Sequence, residues 1–301
     1  MILLYHLIFP DDTPACNWNA GKIIRLSAFR RQLRWLKKRF AFLSLEEYLQ
    51  VWKETKSQKK RYAVLTFDDG YARTFALTAP VLQEEKVPAT FFANTRNLDG
   101  KHLLWFVYFN ALCSEQVYPR VKINGLTIPL DTEKNSLFAW RMLIRLARAS
   151  TDARAFAEEY AQKYPLPEKT REKYAGLTSK QLAEIGGSPL FSLGGHTHSH
   201  PYLDQISFSE QTKEMSLNKN VLESLSGKPV PFFAYPGGVY NKDSIDAVHQ
   251  VGFRAALAVS PKFLSSDLMD EIPRTDVYSP AIWKLQLKTL GVVRFFRKGR
   301  M

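Results

Sequence analysis

Two short stretches carry most of the chemistry available to this sequence. In LTFDDG, residues 65–70, an apolar run ends in the adjacent carboxylates of Asp68 and Asp69, followed by a glycine. Adjacent carboxylates repel, so something nearby must neutralise or separate them, and a metal ion would do both. In GGHTHSHPYL, residues 194–203, the histidines His196, His198 and His200 fall within five positions of a chain that has 6 in all. His196 and His200 are four apart and could meet at one ion from a turn, which Pro201 and the two glycines favour. His196 and His198 would share a side only in an extended segment. One carboxylate and two imidazoles suit Zn, Fe, Co or Ni and leave positions open for water and substrate. The other aspartate is then free to take a proton from a water that the ion has acidified. Neighbours on a strand point to opposite faces, so both carboxylates reach one pocket only through a sharp turn, which Gly70 permits.

The elements that must position these residues alternate along the chain. MILLYHLI, FAFLSL, YAVLTF, PATFFAN, LFSLGG, VPFFAY and RAALAV read as strands, with helical patterns between them, which predicts parallel strands joined by crossover helices. Ser27 is the expected cap of the first helix, and Thr178 with Gln181 forms a capping box. Between about residues 97 and 177 the rhythm breaks into an aromatic stretch from Trp105, a hairpin VKINGLTI turning at Asn124-Gly125, and a charged helical stretch over Leu137–Tyr164. We read it as an insertion on a single catalytic domain covering 1–301.

Composition narrows the class without choosing a substrate. With 42 Lys+Arg against 29 Asp+Glu, formally +13, the surface attracts acidic glycans, anionic membranes or nucleic acid. No zinc finger, RNA-binding signature or basic zipper accompanies the charge, so nucleic acid is not expected as a partner. The cysteines Cys16 and Cys113 fit no metal or redox spacing. The start MILLYHLIFPDD lacks a signal-peptide pattern and no apolar run spans a bilayer, so a cytoplasmic location is expected.

TFDDG at 66–70, HTHSHP at 196–201 and FAYPGGVYN at 233–241 together resemble the first three motifs of the polysaccharide deacetylases, carbohydrate esterase family 4. The resemblance implies an α/β fold, a distorted (β/α) barrel of about seven strands with a helical insertion, that removes acetyl groups from N-acetylated sugars with one divalent metal. Zinc is the expected ion, with Co, Ni or Fe as alternatives. By position, the resemblance makes Asp68 the general base and Asp69, His196 and His200 the metal ligands, and places His198 behind a ligand or on the surface.

Two departures stand out. Ala234 occupies the position of the arginine that usually orients the base, and no histidine follows His249 to serve as the usual late general acid. Both losses have replacements that resemble the poly-N-acetylglucosamine deacetylase-like subgroup. Tyr5-His6 ends the first strand there, which makes His6 the general acid, and Arg274 in EIPRTDV takes the place of the orienting arginine by a bidentate contact with Asp68. The YPGG turn offers the Gly237 N–H to an oxyanion, while Tyr235 is expected to shape the sugar site.

The C-terminal stretch AIWKLQLKTLGVVRFFRKGRM mixes apolar and basic residues, as a final barrel helix or as a membrane-surface helix suited to a lipid-linked sugar. The expected activity is therefore a metal-dependent N-deacetylase acting on an amino-sugar polysaccharide or glycan precursor. Two other readings fit some of the residues: a catalytically inactive carbohydrate-binding protein on the same fold, and a non-haem iron oxygenase using the same two-histidine, one-carboxylate set.

Overall fold

The apolar runs become parallel strands, and the computed structural model, which describes residues 1–13, 23–54, 61–263 and 269–289, closes seven of them into a barrel. In chain order these are β1 (Ile2–Tyr5), β2 (Tyr62–Phe67), β3 (Ala89–Ala93), β4 (Phe191–Gly195), β5 (Phe232–Ala234), β6 (Ala255–Ala258) and β7 (Ile272–Asp276). Closure comes at β1, where Ile2 lies opposite Arg274 of β7 on one side and Val64 of β2 on the other. The expected α/β barrel is therefore the observed one.

Its seven strands are not the seven read from the sequence. FAFLSL contributes only Ala41–Phe42, which pairs with the start of β2 outside the ring. The closing strand is instead IPRTD, whose Pro273 lacks a donor N–H and breaks the apolar run by which strands are recognised. MILLYHLI likewise divides at His6, into β1 and a short strand Leu7–Phe9 that pairs with Ile23–Arg25.

Strand alternation builds two layers. Ile2, Val64, Phe92, Phe232, Leu257 and Ile272 cluster inside the barrel. Their odd-even partners, among them Leu3, Leu65, Phe91 and Phe233, pack outward against the helices. Phe67 stacks on Phe91 at 5.0 Å, and Phe75 of helix Ala72–Glu84 meets Phe91 edge-on at 5.2 Å. Burying such aromatic surface is the main favourable contribution to the fold.

Helix starts follow local chemistry. Thr178 and Gln181 form the reciprocal capping box ahead of helix Ser179–Gly187. Ser27 does not cap: the first helix begins at Leu26, and Asp11 from the preceding loop accepts from the Ser27 N–H and hydroxyl. The insertion has its own core of Phe109, Val121, Ile123, Leu143 and Tyr160, which reaches the barrel through Leu7, Phe9 and Tyr71. Its hairpin turns at Asn124 (φ 48°) and Gly125 (φ 83°), the positive-φ pair that a tight two-residue turn requires. The stretch Leu137–Tyr164 is two helices, Glu133–Ala149 and Ala153–Lys163, because Ser150 leaves the helix and Asp152 caps the next through Arg154 N and Ala155 N.

Candidate active site

Strand parity decides which side chains reach the barrel mouth. Steps of two along β1, β2 and β7 from the inward Ile2, Val64 and Ile272 arrive at His6, Asp68 and Arg274. On β4, Gly194 faces inward so closely under Phe92 that a Cβ there would lie 2.3 Å from the ring, and two residues on comes His196. All four thus collect at the C-terminal ends of parallel strands, where barrels of this kind carry their chemistry.

Arg274, 5% exposed, grips Asp68 with both ends of its guanidinium, at 2.6 Å from Nη1 to Oδ1 and 2.7 Å from Nη2 to Oδ2. Phe92 lies beneath the guanidinium, 5.4 Å from its ring centroid. Burial, the largest single influence, would raise the Asp68 carboxyl, but the Arg274 charge, the His196 charge, the Arg274 hydrogen bonds and the His6 charge together outweigh it and hold the group below the ordinary carboxylate range. The carboxylate is therefore ionised and fixed in orientation. This grip is the bidentate contact expected of Arg274 in place of the arginine missing at Ala234, and it comes from β7, two strands from β5 in the ring.

The turn after β2 separates the two aspartates. Asp69 (φ 68°) and Gly70 (φ 58°) are both left-handed, and a Cβ at Gly70 would sit 2.8 Å from the Cβ of Ala93. Asp69 swings away from Arg274 toward the histidines, with Oδ1 at 3.5 Å from His196 Nε2 and 3.6 Å from His200 Nε2. The three buried ligand atoms lie within 4.8 Å of one another.

The donor set fits a metal on two counts. His196 Nδ1 donates to the Ala234 carbonyl at 2.7 Å, which fixes the tautomer and leaves Nε2 its lone pair. That Nε2 is buried, without a hydrogen-bond partner, and faces Asp69, as a ligand atom would.

The histidine loop is the turn that Pro201 and the glycines predict. Thr197 (φ 63°) and His200 (φ 60°) are left-handed, and the Thr197 hydroxyl donates to His196 O at 2.6 Å while accepting from His200 N at 3.1 Å. Asn218 accepts from His196 N at 3.0 Å and donates to Ala93 O at 2.9 Å. The insertion holds the other side. Trp105 Nε1 donates to His200 O at 2.8 Å, and the Phe106 ring lies 4.5 Å from the His200 ring.

His6, 6% exposed, is near enough to Asp68 for its charge to act there. A Cβ on Gly237 (φ 60°) would lie 4.0 Å from His200 Cε1, which puts that turn beside the ligands. His198 turns away to Thr95, with Nδ1 2.8 Å from the hydroxyl, and burial lowers its pKa. His249 is remote, its exposed ring bonded to Asp270 at 2.5 Å.

Tyr235 is a correction. It is 1% exposed, stacks on Tyr240 at 4.1 Å and donates to Asp270 O at 3.0 Å, so it supports the turn from behind and cannot contact a sugar.

Three neighbours of the site escaped the sequence reading. Tyr71 hydrogen-bonds Asp69, and burial followed by that carboxylate's charge pushes its phenol well up. Tyr278 lies 5.6 Å from the His6 ring, its phenol raised by burial and then by Asp276, Asp68 and Asp69. Trp105 stood out only as one aromatic among several. Position directly after DDG was the available signal for Tyr71; nothing local marks Tyr278.

The family model described as polysaccharide deacetylase matches residues 55–256, more than half of the chain. The chain belongs to the polysaccharide deacetylase family. Membership carries the family's class of activity, hydrolytic deacetylation. Among curated proteins the chain is similar to YxkH of Bacillus subtilis (strain 168), 19% identical over 269 residues, covering 88% of this chain and 66% of that protein. Among solved structures it is similar in fold to the Streptococcus pyogenes deacetylase PplD, solved in complex with acetate, with a TM-score of 0.60, 19% identity and 95% of each chain covered. IcaB from Ammonifex degensii gives a TM-score of 0.60 at 16% identity over 94% of each chain. The polysaccharide deacetylase match leaves out both His6 and Arg274, so their placement rests on the barrel geometry alone.

Proposed function

We propose that the protein is a metal-dependent hydrolase that removes N-acetyl groups from an amino-sugar polysaccharide or glycan precursor, as one catalytic unit. The observation that carries this reading is the pairing of Asp68 with Arg274 directly beside the Asp69, His196 and His200 cluster. Adjacent aspartates have been given opposite tasks. A divalent ion held by Asp69, His196 and His200, zinc in our proposal, would polarise the acetamide carbonyl and acidify a water.

The remaining steps belong to side chains of this chain. Asp68, kept ionised and aimed by Arg274, takes the proton of the attacking water through the lone pairs that the guanidinium leaves free. The turn at Gly237, which lies beside His200, offers its backbone N–H to the developing oxyanion in this reading. His6, on the opposite strand end, delivers a proton to the leaving amine. Burial of these groups excludes bulk water and strengthens each contact.

The partner proposed is an N-acetylated glycan, acidic or lipid-linked, and not nucleic acid. A cytoplasmic location is likewise a proposal; among the described residues no helix is long and apolar enough to cross a membrane. Peripheral membrane contact is supported by helix Ile282–Thr289, which exposes Trp283 (56%) and Leu287 (37%). The basic residues after it, 290–301, lie outside the described residues.

The test is acetate release from N-acetylglucosamine oligomers, with metal content measured on the same protein. We expect about one ion per chain, activity abolished by chelator and restored by zinc, and a loss on the order of 100-fold or more in Asp68→Asn, the scale of a lost general base. Undiminished turnover in Asp68→Asn would sink the assignment.

A further inference from the structure

A cavity unused by the steps above lies in the insertion, one side chain away from the histidine loop. Its volume is about 190 Å³. Pockets for drug-sized ligands run to roughly 300–1,000 Å³, so this one suits a single sugar unit or a small charged substituent. Trp105, Tyr108 and Leu166 give it apolar walls, and Lys101, Arg154 and Arg171 set three permanent cations against the single carboxylate of Glu158.

Those cations are not equally occupied. Arg154 is 2.9 Å from Asp152, and Glu158 is engaged by Arg96. Lys101 and Arg171 are exposed and make no side-chain hydrogen bond or ion pair among the described residues. Local positive charge above an apolar wall matches a ligand with an apolar ring face and an anionic group.

Trp105 joins the cavity to the reaction. Its ring is one wall, while its N–H holds the His200 carbonyl at 2.8 Å. One indole therefore separates the cavity from the loop that carries two of the three ligands.

We infer that this cavity is a subsite for an acidic unit of the glycan, a sugar bearing a phosphate or carboxylate, in the same chain that presents its acetamido group at the metal centre. The inference rests on the deacetylase reading and adds to it the class of substrate. It also gives the insertion a task, selecting charged chains over neutral ones.

The experiment compares an N-acetylglucosamine tetramer with the same tetramer carrying one phosphate monoester, each titrated calorimetrically into the metal-loaded full chain and into Lys101→Ala/Arg171→Ala. Both substituted side chains are solvent-exposed, so the variant folds. The wild type should bind the phosphorylated tetramer about tenfold more tightly, two exposed charge contacts each being worth a few-fold, with the advantage shrinking in high salt. The double variant should lose that preference and keep its affinity for the neutral tetramer. No preference in the wild type, or a preference that survives the double substitution, overturns the subsite. Inorganic phosphate that binds without displacing the phosphorylated tetramer also overturns it, by making the occupant a free anion. Acetate release from the neutral tetramer is read on the same samples; its absence in the wild type would count against the deacetylase reading and leave the charge preference to be judged separately.

Discussion

Arg274→Met removes the guanidinium and keeps a stem of similar length. In the wild type two hydrogen bonds of 2.6 and 2.7 Å hold Asp68, which is itself only 4% exposed. Deleting one partner of a buried pair leaves an uncompensated charge and costs about 3–5 kcal/mol, a large share of a typical total of roughly 5–15. The pH dependence follows from the sign of the Asp68 shift. Its folded pKa is depressed, so the pair's contribution is present above the unfolded carboxylate value and lost as pH falls through the folded one. Without Arg274 the burial effect is less opposed and the carboxyl moves up. The variant's deficit should therefore be greatest near neutrality and narrow in acid.

Denaturant midpoints across pH, with chelator in every sample so that bound ions drop out, measure this directly. Arg274→Lys should recover part of the stability by restoring the charge without the planar fork. Asp68→Asn/Arg274→Met should be more stable than Arg274→Met alone, because the buried charge is gone. If the double variant is no more stable, or the deficit of Arg274→Met is flat with pH, the charge-pairing argument is refuted.

Other perturbations report on the supports around the site. Trp105→Phe keeps the ring but leaves the buried His200 carbonyl without its donor; zinc affinity, measured by competition with a chromophoric chelator, should fall about 10–100-fold while Phe138→Ala on the exposed face of the insertion leaves it unchanged. Gly70→Ala combines a left-handed φ with a Cβ 2.8 Å from that of Ala93, so it should cost about 2 kcal/mol or more in thermal or denaturant unfolding, and a wild-type midpoint would contradict the turn.

That Asp68, Asp69, His196 and His200 would meet at one site was readable in the sequence because TFDDG and HTHSHP each hold their residues within a single turn, where local geometry dominates. The Thr178 box and the Asn124-Gly125 hairpin were readable for the same reason. Elements that depend on distant partners were not. IPRTD becomes a strand only because β1 and β6 lie on either side of it, and its proline hides that role. Tyr235 looked available for a sugar beside the PGG turn, yet Tyr240 and Asp270 enclose it. Trp105 reaches the histidine loop only when the insertion packs against the barrel mouth. Sequence alone determined which residue types were present and, through the alternation of strands, which face each one takes. Barrel closure decided their company: it brings His6, Asp68 and Arg274 together across separations of 62 to 268 residues, since parallel strands gather their C-terminal ends at one mouth regardless of the chain between them.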